Sequence, residues 1–123
     1  MQPKTPKLLE DIRDAATFIL ESVHDTTEDA YEHNRMLRQS IERNFEIIGE
    51  AVRRLTQHDP ATVQHISGYT HIIAFRNILV HGYDQLDQSI VWQVIQHDVP
   101  VLLADVAALL GVDDEGGGAM TSR

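Results

Sequence analysis

The sequence predicts an all-α protein, folded as an antiparallel up-and-down bundle of four main helices. Apolar residues recur at steps of three and four along four long stretches, which is the spacing of one buried helix face. Polar connections separate these stretches, and no segment alternates apolar and polar residues as a half-buried strand does. Because 123 residues can enclose one sizeable core but not two, we expect a single domain.

The first predicted helix runs from Lys7 to about His24. Residues 1–6 contain two prolines, and we expect them to form an irregular arm outside the helix. The acidic pair Glu10-Asp11 lies near the helix start, where the helix dipole favours negative charge. The apolar face of this helix consists of Leu8, Leu9, Ile12, Ala15, Ala16, Ile19, Leu20 and Val23.

The second predicted helix is longer and ends at Asp59-Pro60. In the polar connection before it, Thr26 or Thr27 could cap a short turn. Gly49 lies inside the helix at a cost of about 1 kcal/mol relative to alanine, and we interpret it as a point where a neighbouring helix approaches closely. The apolar stripe consists of Leu37, Ile41, Phe45, Ile48, Val52 and Leu55.

The third predicted helix spans Tyr69 to about Val80, after a loop or short turn at residues 61–68. Gly82 suits the left-handed position that often follows a helix end. The helix is too apolar for the surface of a monomer, so the bundle is predicted to form a homodimer. Its buried face is expected to consist of Ile72, Ile73, Phe75, Ile78 and Leu79.

The fourth predicted helix runs from Gln88 or Ser89 to Leu110. We expect a kink at Pro100, because proline lacks a backbone N–H and clashes with the carbonyl four residues earlier. Trp92 is expected to pack in the bundle or in the dimer interface.

The predicted helical domain covers residues 7–111, with Gly111 as the cap of the last helix. Residues 112–123 are acidic and glycine-rich, and we expect a disordered tail there. No uninterrupted apolar run approaches the roughly 20 residues that span a bilayer, and residues 1–7 lack the apolar core of a signal peptide. We therefore expect a cytoplasmic protein that has no membrane partner.

The formal net charge of −9 argues against binding of nucleic acid over the whole surface. This net charge does not exclude a local basic cleft. Glu46 and Glu50 are expected to form salt bridges with neighbouring arginines on an exposed helix face. Without cysteine, and with no H-E-x-x-H or H-x-H spacing among the histidines, neither a metal site nor a cofactor is predicted. The arginines in the middle of the chain are Arg35, Arg38, Arg43, Arg53, Arg54 and Arg76.

Four polar residues between positions 76 and 83 suggest chemistry, in the pattern R-N-x-L-x-H-x-Y: Arg76, Asn77, His81 and Tyr83. A guanidinium holds phosphate with a planar fork of donors, and an imidazole exchanges protons near neutral pH. The set suits phosphoryl chemistry on an anionic substrate. Each residue also has a structural interpretation: Arg76 could pair with an acid on another helix, His81 could cap a helix C-terminus, and Tyr83 could be a packed aromatic.

Arg76 and His81 lie five residues apart. At about 100° per residue, their side chains would point roughly 140° apart on a straight helix. They cannot both face one small substrate while the helix stays regular. Either the helix unwinds before Gly82, or two copies of the motif meet across a dimer.

The motif resembles the R-x4-6-H signature of HEPN domains, in the R-x4-H-x-Y form of the HepT-like toxins. The likeness extends to residues 42–51, to Val91-Trp92 and to Asp98-Val99-Pro100, and it covers roughly residues 7–111. Because HEPN domains usually dimerise with paired motifs along one cleft, the resemblance also implies the two-copy arrangement.

The resemblance implies a ribonuclease that acts without a metal ion, with transfer RNA as one candidate target. A 2′-hydroxyl can attack the neighbouring phosphate once it loses a proton, and His81 would accept that proton or donate one to the leaving oxygen. Arg76 would stabilise charge on the phosphate. Asn77 would orient either side chain or hold a phosphate oxygen, and Tyr83 would stack on a base or hydrogen-bond a phosphate.

HepT-like toxins are paired with an antitoxin that is a minimal nucleotidyltransferase, and the resemblance implies such a partner here. It also implies that this partner attaches AMP to Tyr83, which would place negative charge beside Arg76 and repel RNA. Tyr69 and Tyr31 are the next tyrosines to consider. The alternative function is a non-catalytic module that docks a nucleotidyltransferase or a nucleotide, which the acidic composition favours.

Overall fold

The computed structural model describes residues 1–81 and 86–118, with side chains described as far as Gly111. All regular structure within those ranges is helical, which confirms the predicted fold class. The helical segments are α1 (Thr5–Val23), α2 (Glu28–Glu32), α3 (Arg35–His58), α4 (Pro60–Val63), α5 (Tyr69–His81), α6 (Gln88–Gln93), a π-helical segment (Val94–Asp98) and α7 (Val99–Gly118).

Helix α1 is central to the bundle, because it contacts both α3 and α7, whereas α5 packs mainly against α3. The apolar faces predicted for the first two long helices are buried except for Leu20 and Leu37, which are partly buried, and both helices end where expected. Thr27 caps α2 by accepting a hydrogen bond from the Ala30 N–H at 3.1 Å. Trp92 packs inside the bundle against the ring of Tyr31, with ring centroids 5.4 Å apart.

The N-terminal arm is shorter than predicted, since α1 begins at Thr5 and holds Pro6 in its first turn. Proline is accepted there because the N–H that it lacks would have no partner within the helix. The Asp59 carboxylate fixes this start by accepting hydrogen bonds from Thr5 Oγ1 at 2.7 Å and from the Gln2 N–H at 3.2 Å. It also accepts from the N–H and the hydroxyl of Thr62, so one buried acid joins α1 to the corner between α3 and α4.

The predicted fourth helix is a continuous helical stretch that changes type before Pro100. A π-helix bonds each N–H to the carbonyl five residues earlier, and here the Val99 N–H bonds to the Val94 carbonyl. The irregularity expected from the proline therefore takes the form of a π-helical turn directly before it.

The predicted cap at Gly111 is wrong, because α7 continues through Gly111 to Gly118. The alanines and leucines before it are strong helix formers, and a helix interior accepts one glycine at a cost of about 1 kcal/mol. The predicted tail is thus helical from residue 112 to Gly118, and residues 119–123 lie outside the described part of the chain.

Helix α5 departs most from its predicted burial, because none of its side chains is fully buried. Ile72, Ile73, Phe75 and Leu79 are partly buried against the core, whereas Ile78 is 54% exposed. The reason is that α5 packs mainly against α3, which leaves its opposite face uncovered in a single copy.

The stretch Gln88–Gly111 is long and apolar enough to cross a membrane by length and composition, with a mean hydropathy of 1.5. No uninterrupted apolar run in the sequence suggested this. This stretch contributes core side chains that include Val91, Ile95, Val99 and Val106, and 28% of its apolar window is buried in a single copy.

Candidate active site

Helix α5 carries Arg76, Asn77 and His81 and stays α-helical through His81. The alternative in which the helix unwinds ahead of His81 is therefore wrong. Arg76 and His81 point roughly 140° apart and are separated by about 7.5 Å along the helix axis. Arg76 is half-buried, whereas Asn77 and His81 are exposed. Gly82 and Tyr83, and the predictions made for them, lie outside the described residues.

Arg76 meets α3 at Gly49. A Cβ atom added to Gly49 would overlap Cβ and Cγ of Arg76. Because the Cβ of Arg76 is fixed to the α5 backbone, no change of rotamer would remove that overlap. The predicted close approach at Gly49 is confirmed, and the approaching helix is the one that carries the motif.

Glu50, the next residue of α3, orients the arginine through an ion pair in which Arg76 NH2 lies 3.7 Å from Glu50 Oε1. Glu50 also accepts two hydrogen bonds from Arg53, at 3.1 and 2.8 Å, and one from Arg54 Nε at 3.3 Å. The hydrogen bonds from Arg53, helped by Arg54 and by the charge of Arg76, lower the pKa of Glu50 to about 2. The structural interpretation of Arg76 as the partner of an acid on another helix is thus confirmed.

The guanidinium of Arg76 is held in place but keeps N–H donors that make no hydrogen bond to the described residues. Its NH1 donates a hydrogen bond to Asn77 Oδ1 at 3.3 Å, and its NH2 is too far from Glu50 for a hydrogen bond. Its Nε is buried and has no hydrogen-bond partner among the described residues. Since the side chain is 27% exposed, its terminal nitrogens can donate hydrogen bonds to an anion at the surface.

Arg76 opens on a groove of about 280 Å³ between α1, α3 and α5, which we call the arginine groove. Arg43 and Arg54 of α3 line the same groove. Within the described residues, no three His, Asp or Glu side chains cluster as metal ligands would. The acids that line the groove are each paired with a cation: Asp11 with Lys7 at 2.7 Å, Glu46 with Arg43 at 3.5 Å, and Glu50 with the arginines described above.

A more apolar cleft of about 460 Å³ lies on another side of α5, between α5, α3 and α7. Phe45 and Phe75 meet edge to face in its wall, with ring centroids 5.1 Å apart. His71 and Asp98 are polar residues in its lining. The cleft leaves apolar surface of α5 and α7 open in a single copy.

The two tyrosines outside the motif differ in their accessibility. Tyr31 is fully buried, its hydroxyl donates to Gln88 Oε1 at 2.6 Å, and burial raises its pKa. Tyr69 is only partly buried, and its hydroxyl accepts a hydrogen bond from Gln64 Nε2 at 3.3 Å. Tyr69 is therefore the more accessible second candidate for modification.

Sequence reasoning did not place Gly49 and Glu50 at the site, although they hold Arg76. The arginines that follow Glu50 at three and four residues predicted an exposed salt-bridged surface, which is present. The available signal was the glycine itself, since a residue beside a point of helix contact can reach the second helix. Nothing in the local pattern identified Arg76 as the residue on that second helix.

Comparison with known proteins supports the resemblance to the HepT-like family. A sequence model of the family described as "Ribonuclease HepT-like" matches residues 12–109. The chain is 30% identical over 98 residues to "Putative RNase MJ1380" of Methanocaldococcus jannaschii, which covers 80% of this chain and 89% of the relative. It is 29% identical over 108 residues to "Putative RNase TTE0752" of Caldanaerobacter subterraneus subsp. tengcongensis, and that alignment covers 87% of this chain and 96% of the relative. No solved structure matches the chain.

The region matched by the family contains the whole of α3 and α5, and with them Gly49, Glu50, Arg76 and His81. The match covers far more than half of the chain, and it includes the helices that form the candidate site. The chain therefore belongs to the HepT-like ribonuclease family of HEPN domains.

Proposed function

We propose that this HepT-like ribonuclease is the toxin of a toxin–antitoxin pair and that it cleaves RNA without a metal ion. The observation that best supports cleavage at this motif is the way in which Arg76 is packed, oriented and exposed. Its stem is packed on Gly49, its charge is oriented by Glu50, and its terminal nitrogens remain near the surface. An arginine held in this way is suited to stabilise the charge that develops on a phosphate during cleavage.

In the proposed reaction, the RNA supplies its own nucleophile. His81 accepts the proton of a 2′-hydroxyl, the 2′-oxygen bonds to the adjacent phosphorus, and the bond from phosphorus to the 5′-oxygen breaks. A proton passes to the leaving 5′-oxygen from a protonated His81 or from water. Asn77 holds Arg76 in place through their hydrogen bond or binds a phosphate oxygen directly.

Removal of the general acid–base tests this mechanism. His81→Ala should lower the rate of RNA cleavage about 10²–10⁴-fold in EDTA. His97→Ala is the matched control, because His97 is exposed on the π-helical segment away from the motif. Equal cleavage by His81→Ala and the wild-type protein would show that the mechanism is wrong.

We infer that the working site is shared by two copies of the chain, because Arg76 and His81 diverge by roughly 140° on a regular helix. The exposed face of α5 supports a contact between copies. Ala74, Asn77, Ile78 and His81 recur at the i, i+3, i+4 and i+7 spacing of one helix face, and all four are exposed in a single copy.

Ile78→Glu should disrupt that contact and cleavage together, because it buries a carboxylate at the interface. Light scattering should then report 13.9 kDa, where the wild-type protein gives about twice that mass. Met36→Glu is the control, since Met36 is 83% exposed at the start of α3. A wild-type protein that is monomeric at every concentration and still cleaves RNA would contradict the shared site.

Neutralisation is proposed to occur when a cognate minimal nucleotidyltransferase attaches AMP to Tyr83. Each AMP adds about one negative charge next to the motif, which weakens the contacts between phosphate and cation on which RNA binding depends. Intact-mass spectrometry after incubation with ATP, magnesium and the nucleotidyltransferase should show the addition on wild type but not on Tyr83→Phe. If Tyr69→Phe alone loses the added mass, the modified residue is Tyr69.

The acidic charge of the chain favours one competing function, a non-catalytic module that binds a nucleotidyltransferase or a nucleotide. Expression of the protein alone separates the two functions, because a ribonuclease toxin arrests growth and an inert module does not. Growth arrest that disappears in His81→Ala supports the toxin.

A further inference from the structure

We propose that the arginine groove is a second contact site for RNA, in which Arg43 and Arg54 bind phosphates of the strand that flank the cleaved bond. The inference rests on the proposed function, because it extends the same site along its substrate. It assigns a binding role to two arginines that lie outside the R-x4-H-x-Y motif.

The two arginines share one face of α3 with Arg76 between them. Arg43 and Arg54 are eleven residues apart, which is three helical turns and about 16 Å along the axis. Arg76 meets the same helix at Gly49, so its guanidinium lies at an intermediate level. Three guanidiniums thus line one groove, as a strand with regularly spaced phosphates requires.

The arginines are positioned by neighbouring acids and keep donors for a ligand. Within the described residues, Arg54 donates only through Nε, to Glu50 at 3.3 Å. Arg43 contacts Glu46 through NH1 at 3.5 Å. Their side chains are 57% and 70% exposed, so the remaining nitrogens of both guanidiniums can approach a phosphate from solvent.

The lining of the groove is neutral, because it carries three arginines and three acids, whereas the whole protein is strongly acidic. The chain carries a net charge of −9, which would repel RNA from most of its surface. Two further cations outside the lining, Lys7 and Arg53, pair with its acids Asp11 and Glu50, so the side chains that line the groove or pair with its acids comprise five cations and three acids. The cations are Lys7, Arg43, Arg53, Arg54 and Arg76, and the acids are Asp11, Glu46 and Glu50.

A polyanion explains this arrangement better than a mononucleotide does. One phosphate needs only Arg76 and its neighbour, whereas cations spread over about 16 Å serve a ligand that runs along α3. Single-stranded RNA is the ligand with that spacing of charge that fits the proposed activity.

The test measures binding to RNA oligonucleotides of three and twelve nucleotides in which a 2′-deoxy residue blocks cleavage. In Arg43→Gln/Arg54→Gln, affinity for the twelve-nucleotide strand should fall about tenfold at low salt. The slope of log affinity against log salt should fall in magnitude by about 1.4, because two single-strand phosphate contacts are lost. Affinity for the three-nucleotide strand should not change.

Arg13→Gln/Arg35→Gln is the matched control, since it removes the same charge from exposed positions outside the groove. Thermal unfolding of both double variants checks that each keeps the fold. The proposal is overturned if the groove variant keeps the wild-type affinity and slope, if the control loses as much, or if the wild-type protein does not bind the longer strand. Cleavage of an unblocked strand is scored separately: wild type that binds with the expected slope and does not cleave would refute the proposed nuclease and leave the groove assignment standing.

Discussion

Gly49→Ala is the sharpest perturbation of the site, because it adds one carbon atom at the point where α3 and α5 touch. The new Cβ would overlap Cβ and Cγ of Arg76. One of these atoms cannot rotate away, so α5 must move. To restore ordinary contact between carbon atoms, the helix must shift by about 1–2 Å.

The cost follows from two opposing effects. Alanine is a better helix former than glycine by about 1 kcal/mol in a helix interior. Overpacking in a close contact costs about 1–3 kcal/mol, and a clash with an atom fixed to the backbone belongs at the upper end of that range. We therefore expect a net loss of about 2 kcal/mol in the free energy of unfolding. Displacement of a catalytic group by about 1 Å can cost about 100-fold in rate, so cleavage should suffer more than stability.

Urea unfolding and RNA cleavage measured on the same preparation test both effects. Gly111→Ala is the matched control, because a Cβ at Gly111 meets no atom within 4 Å, and it should stabilise α7 by up to about 1 kcal/mol. The two glycines should thus respond with opposite signs. A Gly49→Ala protein with unchanged or greater stability and full activity would refute the reasoning.

Two further predictions concern acids. Burial alone would raise the pKa of Asp59, but hydrogen bonds from Thr5, Thr62 and Gln2 outweigh burial and lower it from 3.8 to about 2. The lowered pKa stabilises the fold by about 2 kcal/mol above the unfolded pKa of 3.8, and this contribution is lost as the pH falls through 2. Asp59→Asn should therefore have a lower free energy of unfolding than wild type in urea at pH 7. The difference between the two proteins should be smaller at pH 3. Glu50→Gln should lower kcat for RNA cleavage, and in an Arg76→Ala background it should have no further effect on kcat if Glu50 acts on the chemistry only by positioning that arginine; Glu21→Gln, at an exposed position near the end of α1 and outside the groove, is its control.

Periodicity predicted the long helices well, because their burial is decided by a single face. All but one residue of each stripe of α1 and α3 is buried as expected, since each of these helices packs against neighbours of the same chain. Predictions of helix ends from single proline and glycine residues failed where the neighbouring sequence favoured a helix. Pro6 signalled an irregular arm, yet the first turn of a helix accepts proline. Gly111 signalled a helix end, yet helix-forming neighbours carry α7 past it.

The site was predictable in its residue types but not in its contacts. The spacing within the motif proposed Arg76, Asn77 and His81 as candidates without knowledge of the fold, and their catalytic roles stay a prediction. The pairing of Arg76 with Glu50 depends on how α5 crosses α3, which is set by packing between residues more than twenty positions apart. A glycine inside a helix indicated that such a crossing exists, and only the structure shows which residue crosses there.

In the proposed mechanism, helix α5 joins two requirements that a single copy of the chain does not satisfy together. One side is fixed to α3 through Gly49 and Glu50, which determines where Arg76 points. The opposite face carries His81 beside the exposed Ile78. In the proposed mechanism this face supplies the second half of the chemistry, and it is also an apolar surface that water would not favour. If covering that surface with a second copy is what brings the two halves together, catalysis depends on assembly. The specific activity of the enzyme should then rise in proportion to its concentration below the dissociation constant of the dimer and become constant above it, which a site complete within one chain would not show.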